Sequence, residues 1–369
     1  MTAPPTVTDA PEILVRGTPA HTRTLEVVLS QSDPDRLAAH GIILDLRKRG
    51  LVPMAGDLQT AGVIHHMSVD ATLAVEDLRV ESIRTEQPNV AFEPSPGTGG
   101  ECCRDPGKRI EALAGSAIDP GYARRLGAAI GGPLGCSHVL TLAQLLGSTA
   151  LAAVASDREA YGAIATRRPG ERLFDRSLSI DGFESPEGGL CLALQLADLH
   201  FAPAPAVAQP YDRLCGQREL RIEAEIDLAV MKLVRISAAE RVDDALTPGG
   251  ASWQAQDLRF LEGHAVLAGM ARTLFERLGD APARRPLLDA LLNIAPGMIQ
   301  CMPALSNYWQ RWRDAHASGD GSSDATRAVS GPMGGMSDSC YMWRRDGALQ
   351  RQLAGDLPTR PRSPGEPGD

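Results

Sequence analysis

Aromatic residues are scarce in this chain of 369 residues, in which Phe, Trp and Tyr together make up 4%. Hydrophobic residues of all kinds still reach 43% and charged residues reach 22%, which is close to ordinary globular usage. The core must therefore be built mainly from Leu, Ala, Val and Ile. A chain of this length suffices for two domains or for one large domain.

A long apolar run and a leader sequence are also missing. No apolar run reaches about 18 residues, so we expect no membrane-spanning helix. The first residues, MTAPPTVTDAPEILVRGTPA, lack a basic start followed by an apolar stretch, so we expect no signal peptide and a cytoplasmic protein. The chain has an odd number of scattered cysteines, seven, which in that compartment are predicted to be reduced thiols rather than disulfides.

The sequence has no run of Lys and Arg with interleaved aromatic residues, and its net charge is -9 at pH 7. This balance disfavours nucleic acid and anionic membranes as partners, because both attract basic surfaces. The sequence also lacks G-x-G-x-x-G after a strand, Walker A, G-x-S-x-G and H-E-x-x-H. We therefore expect a small-molecule partner and no organic cofactor, and we leave open whether the protein forms a homodimer.

Composition divides the chain into ordered and disordered parts. Residues 1–20 are rich in Pro and Thr, and the tail 355–369 is rich in Pro, Gly and charge, so both are predicted to be disordered. The ordered part is predicted to contain a first α+β repeat over 21–156 and a second, degenerate α+β repeat over 170–317. A linker and C-terminal segment, 318–354, follows, and its stretch SDSCYMWRR is expected to be a flap over a pocket or a docked strand.

Apolar periodicity predicts an α+β fold of two similar halves, each an antiparallel sheet packed with helices. The spacings between strands are too short for crossover helices, which favours antiparallel hairpins. In the first half the predicted strands are 22–30, 40–48, 62–70 and 73–84, and the predicted helices are 107–114, 119–130 and 137–156. In the second half the predicted strands are 172–181, 189–201, 217–227 and 228–237, and the predicted helices are 252–278, 284–295 and 301–317. The stretch DLRFLEGHAVLAGMARTLFERLG is expected to form the clearest amphipathic helix.

Three pairs of similar stretches, in the same order, indicate an internal repeat. GIILDLRK and LCLALQLADL match at an offset of 150 residues, which pairs Ile42 with Leu192 and Leu44 with Leu194. SVDATLAVEDLRVESI and RIEAEIDLAVMKLVRI match at 153, and LGAAIGGPLGCSHVL and LLNIAPGMIQCMPAL match at 165. The alternative is that two α+β segments share such patterns by chance. We interpret the two halves as a pseudo-symmetric duplication.

The stretch GGPLGCSHVLTLAQLLGSTA places Cys136 and His138 where a Gly-rich loop becomes an apolar helix. Ser137 is expected to cap this helix, whose dipole would lower the pKa of the Cys136 thiol. The pair is therefore a candidate cysteine nucleophile with histidine assistance, or part of a metal site. The alternative is a buried thiol beside a core histidine, with no role in chemistry.

Other His and Cys residues could complete a metal site. His65 and His66 are neighbours in VIHHM, and only one of them is expected to face a shared site, because neighbours in a strand point to opposite faces. A set of Cys136, His138, Cys102 and His65 would supply the tetrahedral nitrogen and sulfur ligands that zinc prefers. The alternatives are a polar strand end at the two histidines and incidental thiols in a mobile loop.

Two further observations bear on the position of a site. The loop GTGGECCRDPGK carries Cys102 and Cys103, and either of them could face the site. Carboxylates such as Asp45 alternate with apolar residues and are predicted to lie on a solvated strand face. Pro303 occupies the place of His138 in the second repeat, so a site is expected in the first half or between the halves.

The first half resembles a bacterial family known as domain of unknown function 2889. The resemblance rests on HTR, which spans His21 to Arg23, on VIHHMSVDATLAVEDLRVES, on a cysteine in the following loop, and on GGPLGCSHVLTLAQLLG. It covers residues 21–156, and its most specific part is the glycine-cysteine-x-histidine segment. The chain departs from the family at His66, where an Asp is usual, so a role carried by that acid is not transferred. The resemblance implies a cytosolic bacterial protein linked to the breakdown of aromatic or acyl compounds.

These observations lead us to expect a catabolic enzyme, a lyase or hydrolase that acts on a small aromatic substrate of phenolic or lignin-derived type. His138 is the expected general base or metal ligand, and Cys136 is a ligand or supporting thiol. His65 or His66 is the expected second acid–base group, and Arg23 is the expected anchor for an anion or phenolate. A single divalent metal such as zinc is the one cofactor left open. The alternative is a non-catalytic ligand-binding or assembly protein, with or without a structural zinc site.

Overall fold

The computed structural model of this protein describes most of the chain between Gly17 and Leu353. The described residues are 17–50, 52–54, 57–206, 209, 213–243, 251–279, 281–305 and 337–353. Most of the predicted N-terminal segment 1–20, most of the predicted helix 301–317, the first part of the linker 318–354 and the tail 355–369 lie outside the described residues.

The described residues contain eleven strands and six α-helices. The strands are β1 Thr18–Asp33, β2 Arg36–Arg47, β3 Val52–Met54, β4 Asp57–Gln59, β5 Gly62–Ala74, β6 Val80–Asn89, β7 Arg172–Glu184, β8 Leu190–Phe201, β9 Leu214–Asp227, β10 Lys232–Asp243 and β11 Gln254–Gln256. The helices are α1 Tyr122–Ile130, α2 Ser137–Tyr161, α3 Met270–Leu278, α4 Arg285–Leu292, α5 Ile294–Cys301 and α6 Ala348–Leu353.

Nine of these strands form one antiparallel sheet in the order β11-β10-β9-β8-β7-β1-β2-β5-β6, and β3 pairs with β4 in a separate hairpin. The predicted α+β class with antiparallel strands is confirmed. Strand β1 pairs with β7 along most of its length, from Thr18 opposite Glu184 to Ser30 opposite Arg172. Strands from both parts of the chain therefore belong to one continuous sheet.

Helices cover the face of the sheet on which alternate strand residues are buried. Helix α2 contacts β1, β2, β5 and β7, and helix α5 contacts β1, β2, β7 and β8. The inward residues Leu25, Val27 and Leu29 of β1 are fully buried beneath them. Burial of each such side chain is favourable by about 1.5–3 kcal/mol, so the alternation of β1 fixes which of its faces meets the helices.

Two segments, Ser137–Tyr161 and Pro282–Ala304, are long and apolar enough by composition to cross a membrane. Their most apolar windows are 61% and 72% buried inside the protein. Core helices have the same composition, because they are surrounded by other apolar side chains. The two segments therefore assign no compartment to the protein.

The predicted helix 252–278 is wrong. This segment contains β11, the short 3-10 helix Arg259–Leu261 and, only from Met270 onwards, helix α3. Gly263 and Gly269 have φ values of 77° and 82°, a left-handed conformation that interrupts an α-helix. Ala265 forms a β-bridge with Lys232 instead. The apolar residues of this segment thus reach the core from turns rather than from one helical face.

The predicted strands 73–84 and 228–237 begin too early. Each covers a turn: β5 ends at Ala74 and β6 begins at Val80, and β9 ends at Asp227 and β10 begins at Lys232. Leu78 and Met231 lie in these turns, and both have a φ of 52°. Residues other than Gly rarely adopt positive φ, so a leucine and a methionine at these positions did not indicate a turn.

Candidate functional site

Asp45 is the centre of the candidate site, and its side chain is 0% exposed. It lies in β2 directly opposite Arg23 of β1 and His65 of β5. The prediction that Asp45 lies on a solvated strand face is wrong, because Ile43, Asp45 and Arg47 are the inward residues of β2. Strand β2 is apolar on both faces, so alternation alone did not identify the inward one.

Four side chains surround the Asp45 carboxylate. His21 Nε2 donates to Oδ1 at 3.1 Å, and His65 Nδ1 donates to Oδ2 at 3.1 Å. His138 Nε2 lies 3.3 Å from Oδ2, and Arg23 Nη1 donates to Oδ2 at 3.5 Å. Burial alone would raise the pKa of Asp45, but Arg23 and the three histidines hold it well below its usual range. Asp45 is therefore an ionised carboxylate inside the core.

The sheet register separates the two adjacent histidines. A β-bulge between the pairs Asp45–His65 and Leu46–Val63 leaves Ile64 as an extra residue, and both Ile64 and His65 point inward. His66 is exposed and lies opposite Leu44 and Asn89. The structure thus places His65 at Asp45 and places His66 on the other side of the sheet.

His138 reaches the site from the first turn of helix α2. Its ring lies 3.9 Å from the His65 ring, centroid to centroid, and the amide nitrogen of Gln300 in α5 lies 3.2 Å from its Nε2. Burial, followed by the neighbouring His65, lowers the pKa of His138 to about 3. His138 is therefore a neutral imidazole at neutral pH. Gln300 was missed in the sequence, because it lies 162 residues from His138 and has no local motif.

Cys136 is the N-cap residue of helix α2, and Ser137 is its first helical residue. The predicted Ser137 cap is wrong, because no side chain caps this helix end. The Cys136 Sγ lies 3.9 Å from His138 Nδ1 and is buried. Burial raises the pKa of the thiol to about 11 and outweighs the nearby backbone N–H groups of Val139 and His138. The expected lowering of this pKa by the helix end is therefore also wrong, and Cys136 is a neutral thiol.

The adjacent cysteines of the Gly-rich loop have different surroundings. The Cys102 thiol is buried and accepts from Arg104 Nη1 at 3.5 Å. Cys103 lines the cavity described below, together with Cys136. The structure therefore brings Cys136, His138 and His65 together, and it turns Cys102 towards Arg104.

A cavity of about 150 Å³ lies beside this cluster. His65, His138 and Gln300 border it, and Phe92, Ile299 and Trp343 contribute apolar wall. Residues Ser339 to Trp343 of the C-terminal segment also line it, and the backbone N–H of Tyr341 donates to Gly135 O at 2.7 Å. This segment forms turns rather than the docked strand considered above, and it covers one side of the cavity.

Arg47 is an inward cation of β2, and it also lines the cavity. Its Nη2 donates to Gln59 Oε1 at 3.3 Å, and within the described residues it forms no ion pair with a carboxylate. Burial lowers the pKa of Arg47 to about 10, so the group remains a cation at neutral pH. Arg23, the anchor expected for an anion, is instead engaged with Asp45. Arg47 was missed in the sequence, since LRKR carries no signal of burial.

The cluster has two chemical capacities. An ionised carboxylate only accepts hydrogen bonds, so the His65 Nδ1 beside it carries the proton and Nε2 of a neutral ring remains an acceptor. This is the carboxylate–histidine arrangement of general acid–base catalysis. Alternatively, Asp45, His65 and His138 each offer one ligand atom, and these atoms lie within 4.8 Å of one another, which suits a metal ion.

The fold and the site define an α+β protein in which a wide antiparallel sheet carries a buried histidine–carboxylate centre at the end of a core helix. A family model described as "Protein of unknown function (DUF2889)" matches residues 21–152, which confirms the resemblance of this part of the chain. The matched part includes Asp45, His65 and His138 and ends before Gln300. Comparisons with curated proteins and with solved structures give no match.

Proposed function

We propose that the protein is an enzyme, a lyase or hydrolase, that acts on a small, single-ring aromatic anion in the cavity beside Asp45. One observation carries the proposal. The acid–base groups His65 and His138 contact the buried carboxylate of Asp45, and they border the same small cavity as Arg47, a buried cation. The chemistry is that of residues alone and needs no organic cofactor.

The size and walls of the cavity support a single aromatic ring. Apolar cavities of roughly 150 Å³ hold a molecule of benzene, and this cavity has about that volume. Phe92 and Trp343 meet edge to face, with ring centroids 6.0 Å apart, and both line the cavity. Such rings offer rigid apolar contact to a planar substrate.

The charge of the substrate follows from Arg47. Arg47 is a buried guanidinium that has no carboxylate ion-pair partner in the part of the chain that the structure describes, which is costly, and a bound anion would relieve this cost with charge-assisted hydrogen bonds. Carboxylate and phenolate are the anionic groups that suit both this cation and an aromatic ring. We therefore assign the anion-binding role to Arg47, and Arg23 holds Asp45 ionised.

The roles of the histidines follow from their hydrogen bonds. His65 donates to Asp45, and its other ring nitrogen can take a proton from substrate or water and return it to a leaving group. His138 is neutral at the pH of the reaction, and because its one N–H faces Asp45, it is suited to position His65 and the substrate rather than to donate to the substrate. Cys136, with a pKa raised to about 11, supports His138 as a protonated thiol.

The charge preference is tested by calorimetric titration with 4-hydroxybenzoate and, as a neutral counterpart, 4-hydroxybenzamide. We expect the benzoate to bind more tightly, and Arg47→Met to weaken its binding by about 10-fold or more, since hydrogen bonds to charged groups contribute about 1.5–3 kcal/mol. His66→Gln, on the other side of the sheet, is the matched control. Equal binding of both compounds to the wild type would contradict an anionic substrate.

Catalysis is tested by incubating the full chain with a panel of aryl esters and phenolic ethers and by detecting products with mass spectrometry. We expect turnover of at least one class, and a loss of about 100-fold or more in His65→Gln, with 4-hydroxybenzoate binding retained. Binding of the benzoate without turnover of any compound would favour the alternative, a non-catalytic ligand-binding or assembly protein.

A divalent metal at Asp45, His65 and His138 is the second candidate, and a catalytic or structural zinc site would use the same ligands. The mutual closeness of the three ligand atoms supports it, whereas Arg23, 3.5 Å from Asp45 Oδ2, would repel a cation there. Elemental mass spectrometry of the wild type and of His138→Ala tests this candidate. About one zinc or iron per chain, lost in the variant, would establish it, and chelation would then unfold a structural site.

We also propose that the protein is cytoplasmic and of bacterial origin, as the resemblance implies. All seven cysteines are free thiols, which agrees with a reducing compartment. Cell fractionation with an antibody against the chain tests the compartment. Recovery from a periplasmic or membrane fraction would contradict it.

The two parts of the chain are, we infer, a pseudo-symmetric duplication. The sheet order supports this, because β1, β2, β5 and β6 extend to one side of the β1–β7 pair and β7 to β10 extend to the other. Arg23 faces Asp45 across β1–β2, and Arg176 faces Asp198 across β7–β8, each 153 residues later. The positive φ of Leu78 recurs at Met231, again 153 residues later.

This offset replaces the offset of 150 for β2 and β8. An offset of 150 pairs the outward-facing Ile42 with the inward-facing Leu192, whereas 153 pairs two inward residues, Ile43 and Leu196. In the second half, Asp289 of α4 rather than a histidine approaches the buried arginine, and it accepts from Arg176 Nη1 at 2.8 Å. The second half would then have kept the fold of the repeat and lost its histidines.

A further inference from the structure

A second cluster of reactive groups lies outside the cavity, in the part of the chain that the family model does not match. It consists of Cys215 in β9, His200 near the end of β8 and Asp157 in α2. Cys215 Sγ lies 3.3 Å from His200 Nδ1, and His200 Nε2 lies 2.7 Å from Asp157 Oδ1. A thiol, an imidazole and a carboxylate therefore follow one another at hydrogen-bonding distances, the arrangement that activates a cysteine nucleophile.

The orientation of the His200 imidazole is fixed by its contact with Asp157, at the ring nitrogen that does not face Cys215. Asp157 is fully buried and accepts two hydrogen bonds from Arg167, at 2.6 and 2.7 Å, and one from the backbone N–H of Ala165 at 2.9 Å. Arg167 in turn donates to Phe201 O at 2.7 Å. Because this network ties helix α2 to the end of β8, Asp157 holds the His200 ring with Nδ1 towards the thiol.

The backbone of β9 turns Cys215 out of the regular ladder. Gly216 lies opposite His200 and Leu214 lies opposite Phe201, so Cys215 is the extra residue of a β-bulge. Bulges re-aim side chains and are frequent beside active sites. The bulge brings the Cys215 thiol next to the His200 ring, although His200 pairs across the strands with Gly216 and not with Cys215.

The charge nearest the Cys215 thiol is that of His200. Burial would lower the pKa of His200, but Asp157 and Cys215 raise it to about 9, so the ring is a cation at neutral pH. Tyr161 also faces the cluster, and burial and the adjacent Cys215 raise its pKa, which keeps the phenol neutral. The charges of Arg167 and Asp157 compensate each other, because the two side chains form an ion pair. The group nearest the thiol is thus an imidazolium, which stabilises a thiolate.

The other thiol with a histidine neighbour is a useful contrast. Cys136 lies 3.9 Å from a neutral imidazole, is buried, and has a raised pKa. Cys215 is closer to its histidine, is only partly buried, and has a histidine backed by its own carboxylate. These differences distinguish a reactive thiol from a structural one.

We propose that Cys215, His200 and Asp157 form a second reactive site, in which Cys215 is a nucleophile towards small, soft carbon electrophiles. In the reaction with iodoacetamide, the Cys215 thiolate attacks the methylene carbon, a C–S bond forms, the C–I bond breaks and iodide leaves. The thiol proton stays on His200. The site is independent of the cavity beside Asp45, and its function does not depend on the proposed enzyme activity.

The test is the pH profile of alkylation, measured site by site with iodoacetamide and peptide mass spectrometry on the full chain. An ordinary thiol reacts at pH 6.5 with about 1% of its plateau rate at high pH, because only that fraction is thiolate. Cysteines paired with histidine cations titrate at about pH 7.5 or below. We expect Cys215 to reach about a tenth or more of its plateau rate at pH 6.5, and we expect Cys340, whose pKa burial raises, to reach about 1% or less.

Two variants test whether the pH profile of Cys215 alkylation depends on His200. His200→Gln removes the cation, and the relative rate of Cys215 at pH 6.5 is expected to fall about tenfold or more. His40→Gln, which removes an exposed histidine of β2 that pairs with Asp70, is the matched control and should leave the relative rate within about twofold. If His200→Gln does not fold by circular dichroism, the wild-type profile alone decides. A wild-type Cys215 profile with the midpoint of an ordinary thiol, or a profile unchanged in folded His200→Gln, would overturn the proposal.

Discussion

Asp45 shows how one residue can organise a site. Its carboxylate pairs with Arg23 and three histidines, and it is 0% exposed. In Asp45→Asn the charge is lost and Arg23 becomes a buried cation without a counter-ion. We expect the free energy of unfolding to fall by about 3–5 kcal/mol, measured by urea denaturation.

Asp70→Asn is the control for this substitution. Asp70 pairs with His40 and Arg84 on the other face of the same strands, where all three side chains are partly exposed. Exposed pairs contribute little, so a loss below about 1 kcal/mol is expected. Similar losses in the two variants would mean that Asp45 is not the electrostatic centre of the site.

His138 determines a pH dependence at the same scale. Its pKa is about 3 in the folded protein and about 6.5 in the unfolded chain, so the unfolded chain binds the proton first. Stability from this group is therefore complete above pH 6.5 and is lost as the pH falls. Between pH 6.5 and 4.5 the wild type should lose up to about 3 kcal/mol more than His138→Gln does.

The measurement is urea denaturation of both proteins at several pH values in this range. Other groups titrate in both proteins and cancel in the difference between them. Parallel stability curves for the wild type and His138→Gln would show that His138 binds its proton equally well in the folded and unfolded states, and they would contradict the lowered pKa of His138.

At the scale of elements, the packing of α1 on α2 depends on a missing side chain. Gly147 of α2 lies against the Tyr122 ring of α1, and a Cβ at this position would be 2.6 Å from Tyr122 Cε1. Tyr122 is itself held, since its hydroxyl donates to Ala143 O at 3.2 Å. Gly147→Ala should therefore destabilise the protein by about 1–3 kcal/mol, although Ala is the better helix former.

Gly127 of α1 provides the opposite case. A Cβ there meets no atom within 4 Å, so Gly127→Ala should gain stability of up to about 1 kcal/mol. Thermal unfolding of the two variants beside the wild type measures both effects. A stabilising Gly147→Ala would show that α1 can move away from α2 at little cost.

At the scale of the whole molecule, the sheet is continuous through the β1–β7 pair. A fragment of residues 17–161 keeps the part matched by the family model, but it exposes the whole inner edge of β1. It also loses Gln300 and Trp343 from the cavity wall. We expect this fragment to aggregate or to lack a cooperative unfolding transition, because a long unpaired edge strand recruits other chains.

Circular dichroism and light scattering of the fragment, beside the full chain, measure this expectation. The full chain should unfold in one cooperative transition, since both parts share one hydrophobic core. A soluble, monomeric fragment that unfolds cooperatively would show instead that residues 17–161 are an independent domain.

The sequence by itself determined the antiparallel strands and the core helix α2, and it indicated that one of His65 and His66 lies near His138. These features depend on local patterns: alternation along a strand, helical periodicity, and the opposite directions of neighbouring strand residues. Local pattern failed at 252–278, where apolar spacing suggested one helix. Gly263 and Gly269 break that helix, and contacts with β10 decide its path.

Only the tertiary structure decided which face of β2 is inward, and with it the burial of Asp45 and Arg47. It also decided the positions of Gln300 against His138 and of Cys215 against His200. The reason is that each of these contacts joins residues from different strands or helices, and its effect on pKa and stability depends on burial. Burial shifts the pKa of a carboxylate, a guanidinium or a thiol, and it makes the group costly unless a polar partner lies beside it. The spacing of residues along the chain does not show which of these groups are buried.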